Sequence, residues 1–567
     1  MTVLHAQYPD FANPDLLDKI PLAARTVLDV GCAHGALGVH YLRRNPNCRF
    51  LGIEADPEAA ARASTRLSEV FVGDVEATPM PFEVPEGIDC IIYGDVLEHL
   101  VDPWSVLKAH ANFLSPTGVM LVCVPNVEHW SLVARLLSGT FDYEDVGLLD
   151  RTHLRWFTPR TMARALTDAG LVLCDATPRQ ITTDGAESFV AALAPGLKAL
   201  NIDPQEYLQR AVPLQVIWRA HKTAPLRLEI VSTMLPPQGG VSDIRVVEPM
   251  RALRTEGAIF AHVAREEDLR PVLAETPRIA ILHRPLLLGE NGLARVRALL
   301  LQGYVVVSEF DDHPSFMAER GVNLEELLTF RGVHAIQTST GPLAETLARE
   351  NPELAVFPNM VFELPPVQNF QDPSHLTLFF GALNRQNDWA PFMPALNEVA
   401  RAVGDRLRFR VLFDEAFYNA LETPHKSFEP TLLNYEGYKQ ELAASEISFM
   451  PLGETDFNLA KSDLKFIEAG AARVCALASQ VVYGNVIRNG QTGMLFHDAA
   501  SLRSSLLRLL AYPETTRKLA DAGRSYVAHH RMAAYQVEAR VQWYRSLWAR
   551  REELNAALMA RVPDLFT

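Results

Sequence analysis

Cysteine is scarce, with six residues in 567 and no CxxC pair among them. Most lie in apolar runs, so they read as buried free thiols of a reducing compartment and exclude a disulfide framework or a thiolate zinc site. Long apolar runs are missing too, and none approaches the roughly 20 residues of a membrane-crossing helix. The N-terminus lacks the basic-then-apolar layout of a signal peptide, and a cytoplasmic location is expected. Excess positive charge is also absent: 53 Lys and Arg against 68 Asp and Glu leave −15. That sign excludes bulk attraction to nucleic acid or anionic lipid, and no nucleic-acid partner is expected.

What is present is an ordinary globular composition, 48% apolar and 21% charged, on a chain too long for a single core. Strand-like runs at 26–30, 50–54, 69–73, 88–93 and 118–124 alternate with helix-length stretches, and two more strands fit at 171–176 and 214–220. That alternation predicts a parallel sheet covered by helices. The pattern restarts at Leu226, with strands expected at 226–231, 278–283, 304–309, 334–337 and 355–357. A second restart at Leu376 leads to strands at 376–380, 407–413, 447–451 and 473–478. The expected organisation is therefore three α/β units, 1–222, 226–370 and 374–535, followed by a helical tail, 536–567.

The first unit carries acids at successive strand ends. Asp29 ends the first strand beside Gly31 and Gly35, and Glu54 ends the second, where a carboxylate can accept from two ribose hydroxyls. Asp74 follows the third strand and Asp95 the fourth, in Tyr93-Gly94-Asp95-Val96-Leu97-Glu98-His99-Leu100. The glycine spacing is GxxxG and lacks the full dinucleotide fingerprint. Over about 25–220 the sequence resembles a class I S-adenosylmethionine-dependent methyltransferase, with Leu114-Ser-Pro-Thr-Gly118 before the fifth strand and Val124-Pro125-Asn126 after it. The resemblance implies S-adenosylmethionine as cofactor. It assigns Asp29, Gly31 and Gly35 to the methionine part, Glu54 to the ribose and Asp74 to the adenine, with Asp95 beside them. Ala33 departs from the family's usual glycine.

Methyl transfer to a hydroxyl needs a base near the attacking oxygen. His153, in Leu149-Asp150-Arg151-Thr152-His153-Leu154-Arg155-Trp156-Phe157, is the favoured candidate and His99 the second. Either imidazole reads equally well as a structural hydrogen-bonder.

Two consecutive Rossmann-like units with a returning helix resemble GT-B glycosyltransferases, most closely the retaining family 4 group. Val356-Phe357-Pro358-Asn359, the loop Phe380-Gly381-Ala382-Leu383-Asn384-Arg385 and the segment Lys461-Ser462-Asp463-Leu464-Lys465-Phe466-Ile467-Glu468 carry the likeness. It implies a nucleotide-sugar donor of the nucleoside diphosphate type. Glu468 is then the ribose acid, Lys461 and Arg385 are cations for the diphosphate, and Lys465, one helical turn before Glu468 on the same side, is a further nucleotide-sugar-binding residue. The middle unit offers the acceptor face and the loop at Gly239-Gly240, with Gly240 expected among the residues that bind the nucleotide-sugar. Ala460 stands where the family's first glutamate belongs, which leaves the donor's identity open.

Glu309-Phe310-Asp311-Asp312-His313-Pro314 has three readings: a metal-binding acidic motif, acceptor binding or catalytic assistance through Asp312 and His313, and a capped loop. No metal site is expected, because the GT-B layout uses no obligatory metal. The tail's stripe with Arg540, Arg545, Arg550 and Arg551 would suit a membrane-surface helix at the inner face of the membrane. Glu538, Glu552 and Glu553 dilute it, which favours a helix crossing back onto the middle unit.

The expected fold class is α/β, a seven-stranded methyltransferase domain followed by two Rossmann-like GT-B domains. The expected function is methyl and sugar transfer to a bacterial glycan, lipid-linked glycan or protein. The rival reading keeps the methyltransferase and makes the GT-B half a degenerate binding module.

Overall fold

The computed structural model describes residues 10–181, 183–234, 240–265, 275–431 and 433–566. It divides into two units: residues up to Leu226 with Thr255–Ala258, and Arg227–Arg254 with Ile259 onward.

The first unit is built on seven strands, β1 (Thr26–Val30), β2 (Arg49–Glu54), β3 (Glu69–Val72), β4 (Ile88–Gly94), β5 (Leu114–Pro125), β6 (Val172–Ile181) and β7 (Pro213–His221). Their order is β3-β2-β1-β4-β5-β7-β6. All pairs are parallel except β5–β7 and β6–β7. Central strands of such a sheet are covered on both faces, and their side chains alternate between two cores. Val27, Phe50, Ile92 and Leu121 enter one core, while Leu28, Leu51, Ile91 and Met120 enter the other. The chain winds outward from β1 to β3, then returns to place β4 on the other side of β1. This reversal opens a crevice at the carboxyl ends of β1 and β4. β5 starts at Leu114 rather than after Gly118, because Leu114 already pairs with Ile88; a register irregularity then passes over 115–118 before Val119 pairs with Cys90.

The second unit holds two all-parallel six-stranded sheets. One has β8 (Leu228–Thr233), β9 (Ile259–Val263), β10 (Arg278–His283), β11 (Val305–Glu309), β12 (Ala335–Thr338) and β13 (Leu354–Val356) in the order β13-β12-β11-β10-β8-β9. The other has β14 (Leu376–Gly381), β15 (Leu407–Leu412), β16 (Lys426–Glu429), β17 (Ile447–Met450), β18 (Cys475–Ser479) and β19 (Met494–Phe496) in the order β16-β15-β14-β17-β18-β19. The sequence pattern misses β9, β16 and β19. All three are edge strands of three to five residues, too short to show a period that can be read from sequence.

The tail is two helices, Val537–Ala549 and Arg551–Arg561, with Arg550 between them. Leu558 and Val562 join the core under the first of these sheets, and Arg550 pairs with Glu353 at 2.7 Å. The tail packs through its apolar side chains: Val537, Val541, Tyr544, Leu547 and Leu554 are buried. No helix among the described residues is long and apolar enough to cross a membrane.

A buried ion pair anchors the second unit. Arg245 sits in a π-helical turn, Asp243–Val247, that runs directly into the helix Glu248–Arg254. Its guanidinium makes two bonds to Glu309, at 2.8 and 3.0 Å, and two more to Phe357 O and Asn359 Oδ1. Gln337 donates to Glu309 at 2.6 Å and accepts from Tyr544 at 2.7 Å. Both ionic side chains are almost wholly excluded from water. Removing one partner strands a buried charge. Arg245→Met should therefore destabilise this unit by about 3–5 kcal/mol in urea unfolding, and a loss below about 1 kcal/mol would show that water already reaches Glu309.

Candidate functional site

In the first unit the chain turns over the end of β2 directly after β1. The Gly31 and Cys32 N–H groups donate to Ile53 O at 2.8 and 3.2 Å. Glu54 holds the same turn from its side chain, accepting from Ala33 N at 2.8 Å and from Asp56 N at 2.9 Å. Gly31 has φ 72°, and a Cβ there would lie 2.5 Å from Val96 Cγ2, so a side chain would push apart the β1 and β4 ends. Gly35, at φ 77°, leads into the helix Ala36–Leu42. Ala33 adopts φ 46°, a left-handed conformation that costs an alanine roughly 1 kcal/mol.

The strand-end acids differ in their surroundings. Asp29 is buried, and burial, reinforced by the Glu54 charge, pushes its carboxyl up to about 8. Asp74 is exposed and accepts the Glu76 N–H at 2.8 Å. Asp95 follows β4 with φ 59° and accepts from Gln215 Nε2, on β7, at 2.5 Å. It is open to solvent, and desolvation by the surrounding protein raises its carboxyl to about 6 against the pull of Arg179.

His99 and His153 lie together, ring centroids 4.9 Å apart and edge to face. The His99 Nδ1 is 3.2 Å from Thr152 O and the His153 Nδ1 3.3 Å from Leu148 O. Burial holds both imidazoles below the usual histidine range, and for His153 the His99 ring adds to the effect. The loop that carries His153 hangs on Glu98 O, which accepts from Leu154 N at 2.7 Å and from Arg155 N at 2.9 Å. Sequence reasoning passed over Glu98 and Gln215. Neither had a signal: Glu98 lies between Leu97 and His99 like any acid of a short helical turn, and Gln215 is one polar residue of a strand.

The second unit brings its candidates to the facing ends of its two sheets. Glu468 is buried, and its carboxylate accepts from the Tyr435 hydroxyl at 3.0 Å and the Tyr438 hydroxyl at 3.1 Å. Lys465 lies 3.6 Å from Glu468 and donates to Tyr438 at 2.8 Å. Burial first, then Glu468, drives both phenols well above the usual tyrosine range. Gly240, at φ 83°, faces this cage, and a Cβ there would meet Tyr435 Cδ2 at 2.6 Å. Its neighbour Gly239 lies outside the described residues.

The remaining cations are paired. Arg385 bonds Asp388 at 3.2 Å and Asn458 at 3.1 Å, and Lys461 bonds Asp312 at 3.2 Å. Arg284 bonds Asp311 at 2.6 Å and Asp312 at 3.0 Å. Desolvation lowers the Lys461 ammonium even so. With Arg284 and Lys461 neutralising it, the acid pair 311–312 is matched within the protein and makes no metal-binding cluster, since a bound cation would have to displace these partners. His313 accepts from Ser315 N at 3.2 Å and bonds its hydroxyl at 2.9 Å, closing the turn into the helix Ser315–Glu319.

The Asp29 environment has a measurable consequence. Its folded value, about 8, exceeds the ordinary 3.8, so between those values the folded state holds a proton that the unfolded state has lost. Stability from this group therefore falls as pH rises through that window. Asp29→Asn should be increasingly favoured over the parent in melting temperature between about pH 5 and about pH 8. A difference that stays flat across the window would show that Asp29 ionises normally.

Residues 6–175 match a family model described as a methyltransferase domain. A ubiquinone biosynthesis O-methyltransferase of Aeromonas salmonicida is 26% identical over 170 residues, covering 29% of this chain and 71% of that protein. An uncharacterized methyltransferase of Mycobacterium tuberculosis is 27% identical over 154 residues, covering 26% of this chain and 77% of its own. The structure of Staphylococcus aureus TarM in complex with UDP and other ligands aligns with 47% of this chain and 55% of its own, at 9% identity and a TM-score of 0.36. A likeness that slight bears on neither fold nor activity. The N-terminal part of the chain is a methyltransferase domain.

Proposed function

We propose that the chain is a bifunctional enzyme of glycan biosynthesis. Its first unit transfers a methyl group from S-adenosylmethionine to a sugar hydroxyl, and its second transfers a sugar from a nucleoside diphosphate donor. The observation that carries the methyl-transfer reading is the row of acids at the β1, β2, β3 and β4 ends, around the crevice where the strand order reverses. Asp29 would face the amino acid part of the cofactor, Glu54 the ribose and Asp74 the adenine. Asp95, His99 and His153 would face the acceptor. Glu54 is already oriented by two backbone N–H bonds, so it would meet a ribose diol with little loss of side-chain freedom.

Support for the sugar-transfer reading is architectural: two parallel six-stranded sheets with Asp312, Lys461 and Arg385 near their facing ends. A second reading has its own observation. Glu468 is the ribose acid that the resemblance implies, and two tyrosines and a lysine already satisfy it. If those contacts persist, the second unit binds a partner or ligand without transferring sugar.

Calorimetric titration of the whole protein separates these readings. S-adenosylhomocysteine should bind, and Glu54→Gln should weaken it by about tenfold to a hundredfold, the equivalent of one charge-assisted hydrogen bond. The same variant should bind UDP as the parent does. Failure of every common nucleoside diphosphate to bind would remove the sugar-transfer reading and leave the scaffold. His153→Ala should lower the methylation rate by about a hundredfold or more if the imidazole acts on the acceptor; a parental rate would remove it from the chemistry.

A further inference from the structure

We infer that Glu98, His99 and His153 form a binding site for one divalent transition-metal ion. Each side chain offers a ligand atom, and these atoms all lie within 4.8 Å of one another. The inference replaces the sequence-based expectation that the chain has no metal site.

The protonation pattern suits a cation. Each imidazole places Nδ1 against a backbone carbonyl, Thr152 O or Leu148 O. A carbonyl only accepts, so Nδ1 carries the proton and Nε2 keeps its lone pair, as in metal-ligating histidines whose other nitrogen is fixed by an outer partner. The carboxylate supplies a second, independent argument. Glu98 is 2% exposed, and neither oxygen has a hydrogen-bond partner beyond the approach of its own N–H. A buried, unsatisfied carboxyl is costly, and no Lys or Arg side chain among the described residues pairs with it.

Two imidazoles and one carboxylate are a donor set for Zn²⁺ or another first-row divalent ion, with positions left open for water or a substrate oxygen. Mg²⁺, which prefers oxygen donors, suits it poorly. Ligand bonds of about 2.1 Å would require the side chains to draw inward by roughly 1 Å. The loop around His153 is tied to Glu98 by two backbone bonds, which already hold the two backbones side by side. The use of the open position rests on the methyl-transfer reading: an acceptor hydroxyl bound there would be positioned and made more acidic. Metal binding itself does not rest on that reading.

The test is equilibrium dialysis of the full chain, stripped with EDTA, against ZnCl₂, CoCl₂ and MgCl₂ in separate arms. The expected result is one equivalent of Zn²⁺ or Co²⁺, with a visible Co²⁺ absorption band and no matching Mg²⁺ binding. His99→Ala, His153→Ala and Glu98→Gln should each lose more than about tenfold in Zn²⁺ affinity, with circular dichroism confirming that they fold. His99 is exposed, which makes its variant the mildest of the three. The inference is overturned if the parent binds no Zn²⁺ at micromolar concentration, if the folded variants bind as the parent does, or if Mg²⁺ binds equally well. Metal binding without S-adenosylhomocysteine binding would sustain the site and sink the cofactor reading.

Discussion

A parallel strand pair cannot be closed by a tight turn; the chain must cross the sheet, through a helix, before it can add the next strand. All three sheets of this protein are built mainly under that constraint. The crossing helices fill the sheet faces, so the polar groups left without a core to enter collect at the strand ends. Asp29, Glu54, Asp95, Asp311 and Asp312 all stand there. The constraint also explains why two units of different chemistry share one grammar of strand, short loop and helix.

Within that grammar the two units treat charge differently. In the first, the strand-end acids make no ion pair among the described residues: Glu54 is met by backbone N–H groups and Asp95 by an amide. Such sites hold negative potential in reserve for a ligand that brings positive charge or hydroxyl donors. In the second, almost every candidate is matched inside the protein, Lys461 with Asp312, Arg385 with Asp388, and Glu468 with two phenols and Lys465. A ligand arriving there must exchange partners rather than fill vacant ones, which raises the demand on its own complementarity.

The central strands were legible because a strand buried on both faces is an unbroken apolar run, as in Val27-Leu28 or Val305-Val306-Val307. The edge strand Lys426–Glu429, alternating and half exposed, has no such signature. The strand-end acids could be read for the same reason as the strands: where an apolar run stops, its first polar residue is at the sheet edge. Contacts between distant segments could not be read. Nothing in the spacing of Tyr435 and Glu468 announces that one caps the other, and Glu98 resembles any acid in a helical turn until His153 is brought over it by a loop more than fifty residues away.

The π-helical turn at Asp243–Val247 carries a consequence for how this chain can change. Such a turn holds one residue more than an α-helical one. Deleting a single residue within it would restore ordinary helix and rotate what precedes by about 100°. Arg245 would then leave Glu309, and a change in the length of this helix would become a change of charge in the interior. Length and charge are inherited here as one character, so a small deletion that most helix ends absorb would here strand a buried charge.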